Sequence, residues 1–120
     1  MASHLGELLG SDAPGGVWFP SNDCLDADAA QAVSELVDGE VVLLENLRFN
    51  EGETADSNEF ALALASLGDV YCNDAFGCCH RAHASVHALP SAMSDRPRVT
   101  GLLVGDETRY LGQALETPER

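Results

Sequence analysis

An α/β fold with parallel strands is predicted by three observations on the 120-residue chain. Apolar runs of strand length are present, the segments between them have helical periodicity, and the two kinds of segment alternate. Nothing in the spacing suggests an internal repeat or a low-complexity tract, and residues 1–120 read as one domain.

In chain order, Ser11 to Gly16 is rich in Gly, Pro, Ser and Asp and reads as a loop. Val17-Trp18-Phe19 follows as a short strand closed by Pro20. From Asp26 to Val37, Ala29, Val33 and Leu36 recur at helical spacing. Acidic residues occupy the first turn, where the helix dipole favours them, and Gly39 lies just beyond the end. The run Val41-Val42-Leu43-Leu44 has no polar alternation, as in a parallel strand covered on both faces. A second helix from about Asp56 to Leu67 puts Phe60, Leu64 and Leu67 on one face, with Gly68 placed to end it in the left-handed conformation. Asp69-Val70-Tyr71-Cys72 is then a further strand, Leu89 to Pro97 a loop, and Thr108 to Leu115 a helix. Pro118-Glu119-Arg120 stands where another strand is expected.

Twenty acidic against six basic side chains give a net charge of −14, which repels nucleic-acid backbones and anionic lipid surfaces. Neither is an expected partner. The chain has no lysine; its cations are Arg48, Arg81, Arg96, Arg98, Arg109 and Arg120, so anion binding falls to arginine, histidine or backbone amides. No apolar run approaches the roughly 18 to 20 residues that cross a bilayer, and the first residues lack a basic segment followed by an apolar one. A soluble, cytoplasmic protein is the expectation, in which Cys24, Cys72, Cys78 and Cys79 are reduced thiols, either buried or bound to metal.

Three stretches carry a family resemblance. They are Leu43-Leu44-Glu45-Asn46-Leu47-Arg48-Phe49, then Gly52-Glu53, then Asp69-Val70-Tyr71-Cys72-Asn73-Asp74-Ala75-Phe76-Gly77 leading to His80-Arg81-Ala82-His83-Ala84-Ser85. In order and spacing they resemble phosphoglycerate kinase, as does the tail from Tyr110 to Arg120, and the likeness covers nearly everything from about Val17. The resemblance implies a piece of the amino-terminal domain, which binds 3-phosphoglycerate through a basic patch, while a separate carboxy-terminal domain binds magnesium nucleotide. Arg48 and His80-Arg81 match patch members, and an arginine fork suits phosphate or carboxylate oxygens. The alternative for Arg48 is a strand-end ion pair with Glu45 or Glu51.

The same resemblance implies that the family's opening strands, its glycine-rich loop with its lysine, and the nucleotide domain lie outside this sequence. Phosphoryl transfer is largely positioning and charge stabilisation, so the chain alone is expected not to act as a kinase. Ala2-Ser3-His4-Leu5-Gly6 resembles the family's second-strand motif without its Arg-Pro continuation. His4 is therefore either a remnant of the patch or a residue without a role, near the start of a chain that begins within a helix. In the family the opening strands lie between the Val41 strand and the Val70 strand. The expected fold is thus an incomplete or rearranged part of a parallel three-layer, Rossmann-like architecture, with exposed edges closed by a homodimer or by re-ordered strands.

Cys78-Cys79 and His87 depart from the family's usual residues. On a helix, His80, His83 and His87 point within roughly 60° of one another, with Cys79 one turn before His83. Imidazole and thiolate are ligands for zinc or another divalent transition metal, so Cys79, His80, His83 and His87 are candidate metal ligands. A metal-bound water of pKa about 7 beside the arginines would attack a phosphoester, so metal-dependent hydrolysis of a small phosphoester is the leading expectation. An inactive 3-phosphoglycerate-binding remnant and a structural metal domain are the alternatives. In the plainest reading, His80 and His83 are ordinary family residues, His87 is a surface residue, and the cysteines are small core hydrophobes.

Overall fold

The computed structural model describes residues 1–116. These gather into two compact units, divided between Glu51 and Gly52. In the first, helix α1 (Ala2–Leu9) and a 3₁₀ turn at Gly10–Asp12 precede strand β1 (Gly16–Trp18), helix α2 (Ala27–Ser34), strand β2 (Glu40–Val42) and a 3₁₀ turn at Leu47–Phe49. β1 and β2 pair in parallel, with Val17 opposite Val41. Leu43 N donates to Trp18 O at 2.8 Å, which carries the ladder one step into the predicted run Val41–Leu44. The Asp26 side chain starts α2 where the sequence indicates: one oxygen accepts from Ala29 N at 2.8 Å and the other from the Ser21 hydroxyl. These bonds, the Ser21 one foremost, hold the Asp26 carboxyl below its ordinary pKa. The apolar residues buried here are small: Ala13, Cys24 and Ala29.

Helix α3 (Glu51–Thr54) spans the division. The second unit continues with helix α4 (Asn58–Ala65), strand β3 (Tyr71–Asn73), a 3₁₀ turn at Phe76–Cys78, helix α5 (Ala88–Ala92), strand β4 (Arg98–Thr100) and helix α6 (Leu102–Glu116). Ser57 caps α4 by accepting from Phe60 N. Strand β3 pairs in parallel with β4 in a second two-stranded sheet. Phe60, Ala61, Leu64 and Ala65 on α4, with Ala84, Ala88, Met93 and Val104, form the apolar core.

The fold class is α/β with parallel strands, incomplete in that each described strand pairs on one side only. Three local expectations are corrected, and one strand is additional to them. Leu89 to Pro97 is not all loop: α5 occupies its first part, with Pro90 in the first turn, where a missing N–H breaks no helical bond. Strand β4 follows Pro97, but with only three residues, all exposed, its sequence carries no apolar signal. α6 starts at Leu102 and not at Thr108. Gly68 is not left-handed; α4 ends at Ala65 with Ser66 as its C-cap, and Arg96 Nη1 takes up the carbonyls of Ala65 (2.6 Å) and Gly68 (2.9 Å). The segment from Pro118 to Arg120 lies outside the described residues. No helix among the described residues is long and apolar enough to cross a membrane.

Candidate functional site

In the second unit, the Asn73-Asp74 step at the carboxyl end of β3 fixes the loop that follows. Asn73 Oδ1 accepts from Ala75 N at 2.9 Å, and its amide nitrogen lies 3.5 Å from Cys79 Sγ. Asp74 turns the other way, accepting from Val104 N at 3.0 Å and so capping the start of α6. A Cβ on Gly101 would collide with the Asp74 side chain, so a glycine is required there. Cys78 N and Cys79 N then donate to Ala75 O and Phe76 O, winding a single tight turn that delivers His80 and Arg81 to the surface.

Residues 80–87 are not helical. They run as turns and extended backbone, and Glu53 anchors their middle. This carboxylate is the one buried charged residue, at 3% exposure, among the described residues. It accepts from Ser85 N at 2.9 Å and from Ser85 Oγ at 2.6 Å, while Glu53 O accepts from Ala84 N at 2.9 Å. His83 Nδ1 lies 3.7 Å from Glu53 Oε1. Tyr71 Oη donates to Ser85 O at 2.8 Å; burial first, then the neighbouring Cys79 and Cys72 thiols and the Glu53 carboxylate, raise the tyrosine's pKa above its ordinary value. The motif pieces Gly52-Glu53 and His83-Ala84-Ser85 are thus two halves of one buried junction.

His87 is tied elsewhere. Its Nδ1 lies 2.6 Å from Asp56 Oδ2, while Asp56 Oδ1 accepts from Ala88 N at 3.2 Å at the start of α5. Asp56 holds φ 53°, a left-handed conformation that places its carboxylate there. The helix on which the metal expectation relied does not form: His83 turns to Glu53, His87 to Asp56, and Cys79 to Asn73 and Ala75, while His80 stays exposed. Among the described residues, no three His, Cys, Asp or Glu side chains are placed to hold a metal ion. The departures Cys78-Cys79 and His87 suggested ligands; the roles of Glu53, Asp56 and Asp74 needed long-range partners that spacing alone does not reveal.

Arg81 is exposed, and among the described residues its guanidinium has no hydrogen-bond or ion-pair partner. Arg96, Arg98 and Arg109 are committed instead, to the carbonyls of Ala65 and Gly68, to Pro90 O and to Asp106 respectively. In the first unit, Arg48 is exposed in the 3₁₀ turn beyond β2. Asn46 shapes that turn by accepting from Arg48 N at 3.1 Å through its side chain. His4 is exposed on α1 and lies 3.5 Å from Glu7.

The sequence model of the family described as phosphoglycerate kinase matches residues 1–120. Phosphoglycerate kinase of Rhodopirellula baltica is 52% identical over 119 residues, which are 99% of this chain and 29% of that protein. That of Chlorobium chlorochromatii is 48% identical over the whole chain and 28% of its own length. Among solved structures, phosphoglycerate kinase from Pyrococcus horikoshii superposes with a TM-score of 0.77 at 25% identity, over 99% of this chain and 30% of that one. The Coxiella burnetii enzyme gives 0.68 at 28% identity, over 97% of this chain and 27% of its own. The chain therefore spans a little under a third of the curated relatives it matches. These relatives are kinases, and no ligand group forms among the described residues, so the expected metal-dependent phosphoester hydrolase is overturned. By its sequence over its whole length and by its fold, the chain belongs to the phosphoglycerate kinase family.

Proposed function

We propose that the second unit carries part of a surface that holds a small phosphorylated substrate of the 3-phosphoglycerate type, with Arg81 as the anion-gripping side chain and His80 beside it, and that Arg48 is a separate anion-binding side chain of the first unit. The observation that carries the reading is placement. Each arginine follows the carboxyl end of a parallel strand, β3 for Arg81 and β2 for Arg48, and open parallel α/β sheets bind ligands outside that end of their strands. Arg81, with no partner among the described residues, is the stronger of the two. Its guanidinium can approach two anion oxygens at once, and an exposed site of this kind is weak and salt-sensitive.

The test is calorimetric titration of 3-phosphoglycerate into the chain and into Arg81→Ala. The expected result is weak binding that loses about tenfold in affinity, roughly 1.4 kcal/mol, without any change in melting temperature. Equal affinity for the two proteins would remove Arg81 from the site. With ATP and 3-phosphoglycerate together, the isolated chain is expected to give no turnover, because none of the residues above positions a nucleotide. Self-association belongs to the same proposal: two-stranded sheets leave backbone edges that a second copy can pair with. Light scattering at micromolar concentration should then return a dimer mass, and a monomer mass would end that part.

A further inference from the structure

A cleft of about 240 Å³ opens in the first unit between the end of β1 and the end of α2. Trp18, Phe19, Pro20, Ala32 and Leu36 form its apolar lining, and Glu35 and Glu40 are the charged residues that line it. No cation lines it. Trp18 is 55% exposed and Phe19 42%, so two aromatic rings stand partly in water at the cleft.

The carboxylates are held in place. Glu35 Oε1 accepts from Gln31 Nε2 at 2.8 Å, and Glu40 Oε2 accepts from Val37 N at 3.0 Å, which leaves each with a second oxygen unpartnered among the described residues. Gly15 makes room for this: a Cβ there would overlap Glu40 Cγ. Aromatic faces attract cations through their negative π surface, and fixed carboxylates add a directed attraction. Neutral apolar compounds would gain only from burial, and anions would be repelled by both carboxylates within a chain of net charge −14.

We propose that this cleft is a binding site for a small amphiphilic organic cation, an arylalkylammonium, whose apolar body lies against Trp18, Phe19 and Leu36 and whose ammonium meets Glu35 and Glu40. The site belongs to the first unit alone and does not depend on the anion surface at Arg81. The chain contains one tryptophan, so Trp18 emission reports the cleft directly.

The experiment titrates phenethylammonium, 2-phenylethanol and 3-phenylpropionate into the chain while following Trp18 fluorescence. A saturable response to phenethylammonium is expected, about tenfold tighter than to the alcohol, with none to the carboxylate. Glu35→Gln and Glu40→Gln should each weaken the ammonium about threefold and leave the alcohol unchanged, and added salt should act in the same direction. Thermal melting of both variants checks that the fold is kept, and Gly15→Ala, which displaces Glu40, gives a second route to the same loss. Equal affinity for ammonium and alcohol, or glutamine variants that bind like the parent, would overturn the proposal. An affinity for phenethylammonium that rises on dilution of the protein would overturn it too, because a second copy would then be the occupant of the cleft.

Discussion

The two units share a plan, a pair of short parallel strands joined through helices, yet they are held together differently. In the first, side-chain bonds between near neighbours shape the elements: Asp26 with Ser21 and Ala29, Gln31 with Glu35, Asn46 with Arg48. In the second they span some thirty residues: Glu53 to Ser85, Asp56 to His87 and Ala88, Arg96 to Ala65 and Gly68. The second unit also buries the large side chains Phe60, Leu64 and Met93, whereas the first buries only alanines and a cysteine. Strand β2 shows the consequence. Its sequence is as apolar as that of a fully covered strand, but with a partner on one side its residues remain half-buried. A motif can therefore keep its local shape without the neighbours its composition calls for, while a junction built on a buried carboxylate persists only if both of its halves are present.

The largest effect is expected at that junction. Glu53→Ala leaves the Ser85 N–H and hydroxyl without their acceptor in a buried place, at a cost of about 3 kcal/mol. Melting followed by a probe in the second unit should fall by more than about 10 °C. A smaller loss, shared equally by the first unit, would mean that the comparison is wrong and that the junction is not what holds the second unit together.

A smaller effect is expected at the other long-range tie. His87→Ala removes the partner of Asp56 Oδ2, but the imidazole is exposed and the bond from Ala88 N to Asp56 Oδ1 remains. The expected loss is about 0.5 kcal/mol, read as a shift in denaturation midpoint without a change in slope. Adding a chelator should alter neither the parent nor the variant; a chelator-dependent midpoint would restore the metal reading.

How much of this was legible in the sequence follows the same division. Apolar runs and caps are local signals, so the strands at Val17, Val41 and Tyr71 and the helix beginning after Asp26 were readable, the last because an Asp before an apolar-periodic segment satisfies the first free N–H groups. The motif residues gave the family. What escaped were features decided by distant partners. Glu53 lies in a family motif, but its burial against Ser85 comes from tertiary packing. Asp74 caps a helix some thirty residues on. The helix assumed for the histidine cluster does not form, and Glu53 and Asp56 draw His83 and His87 to separate carboxylates. Arg48 and Arg81 stand out through the resemblance alone, and the structure adds that both follow strand ends and that Arg81 is exposed.

The most direct measurement is residue-resolved amide NMR of the chain on addition of 3-phosphoglycerate. Shift changes are expected in the strand-end segment Gly77–His83 of the second unit. They should be lost in Arg81→Ala, while the Glu53–Ser85 junction stays unmoved. Shifts absent from that segment, or persisting unchanged in Arg81→Ala, would contradict this reading of Arg81.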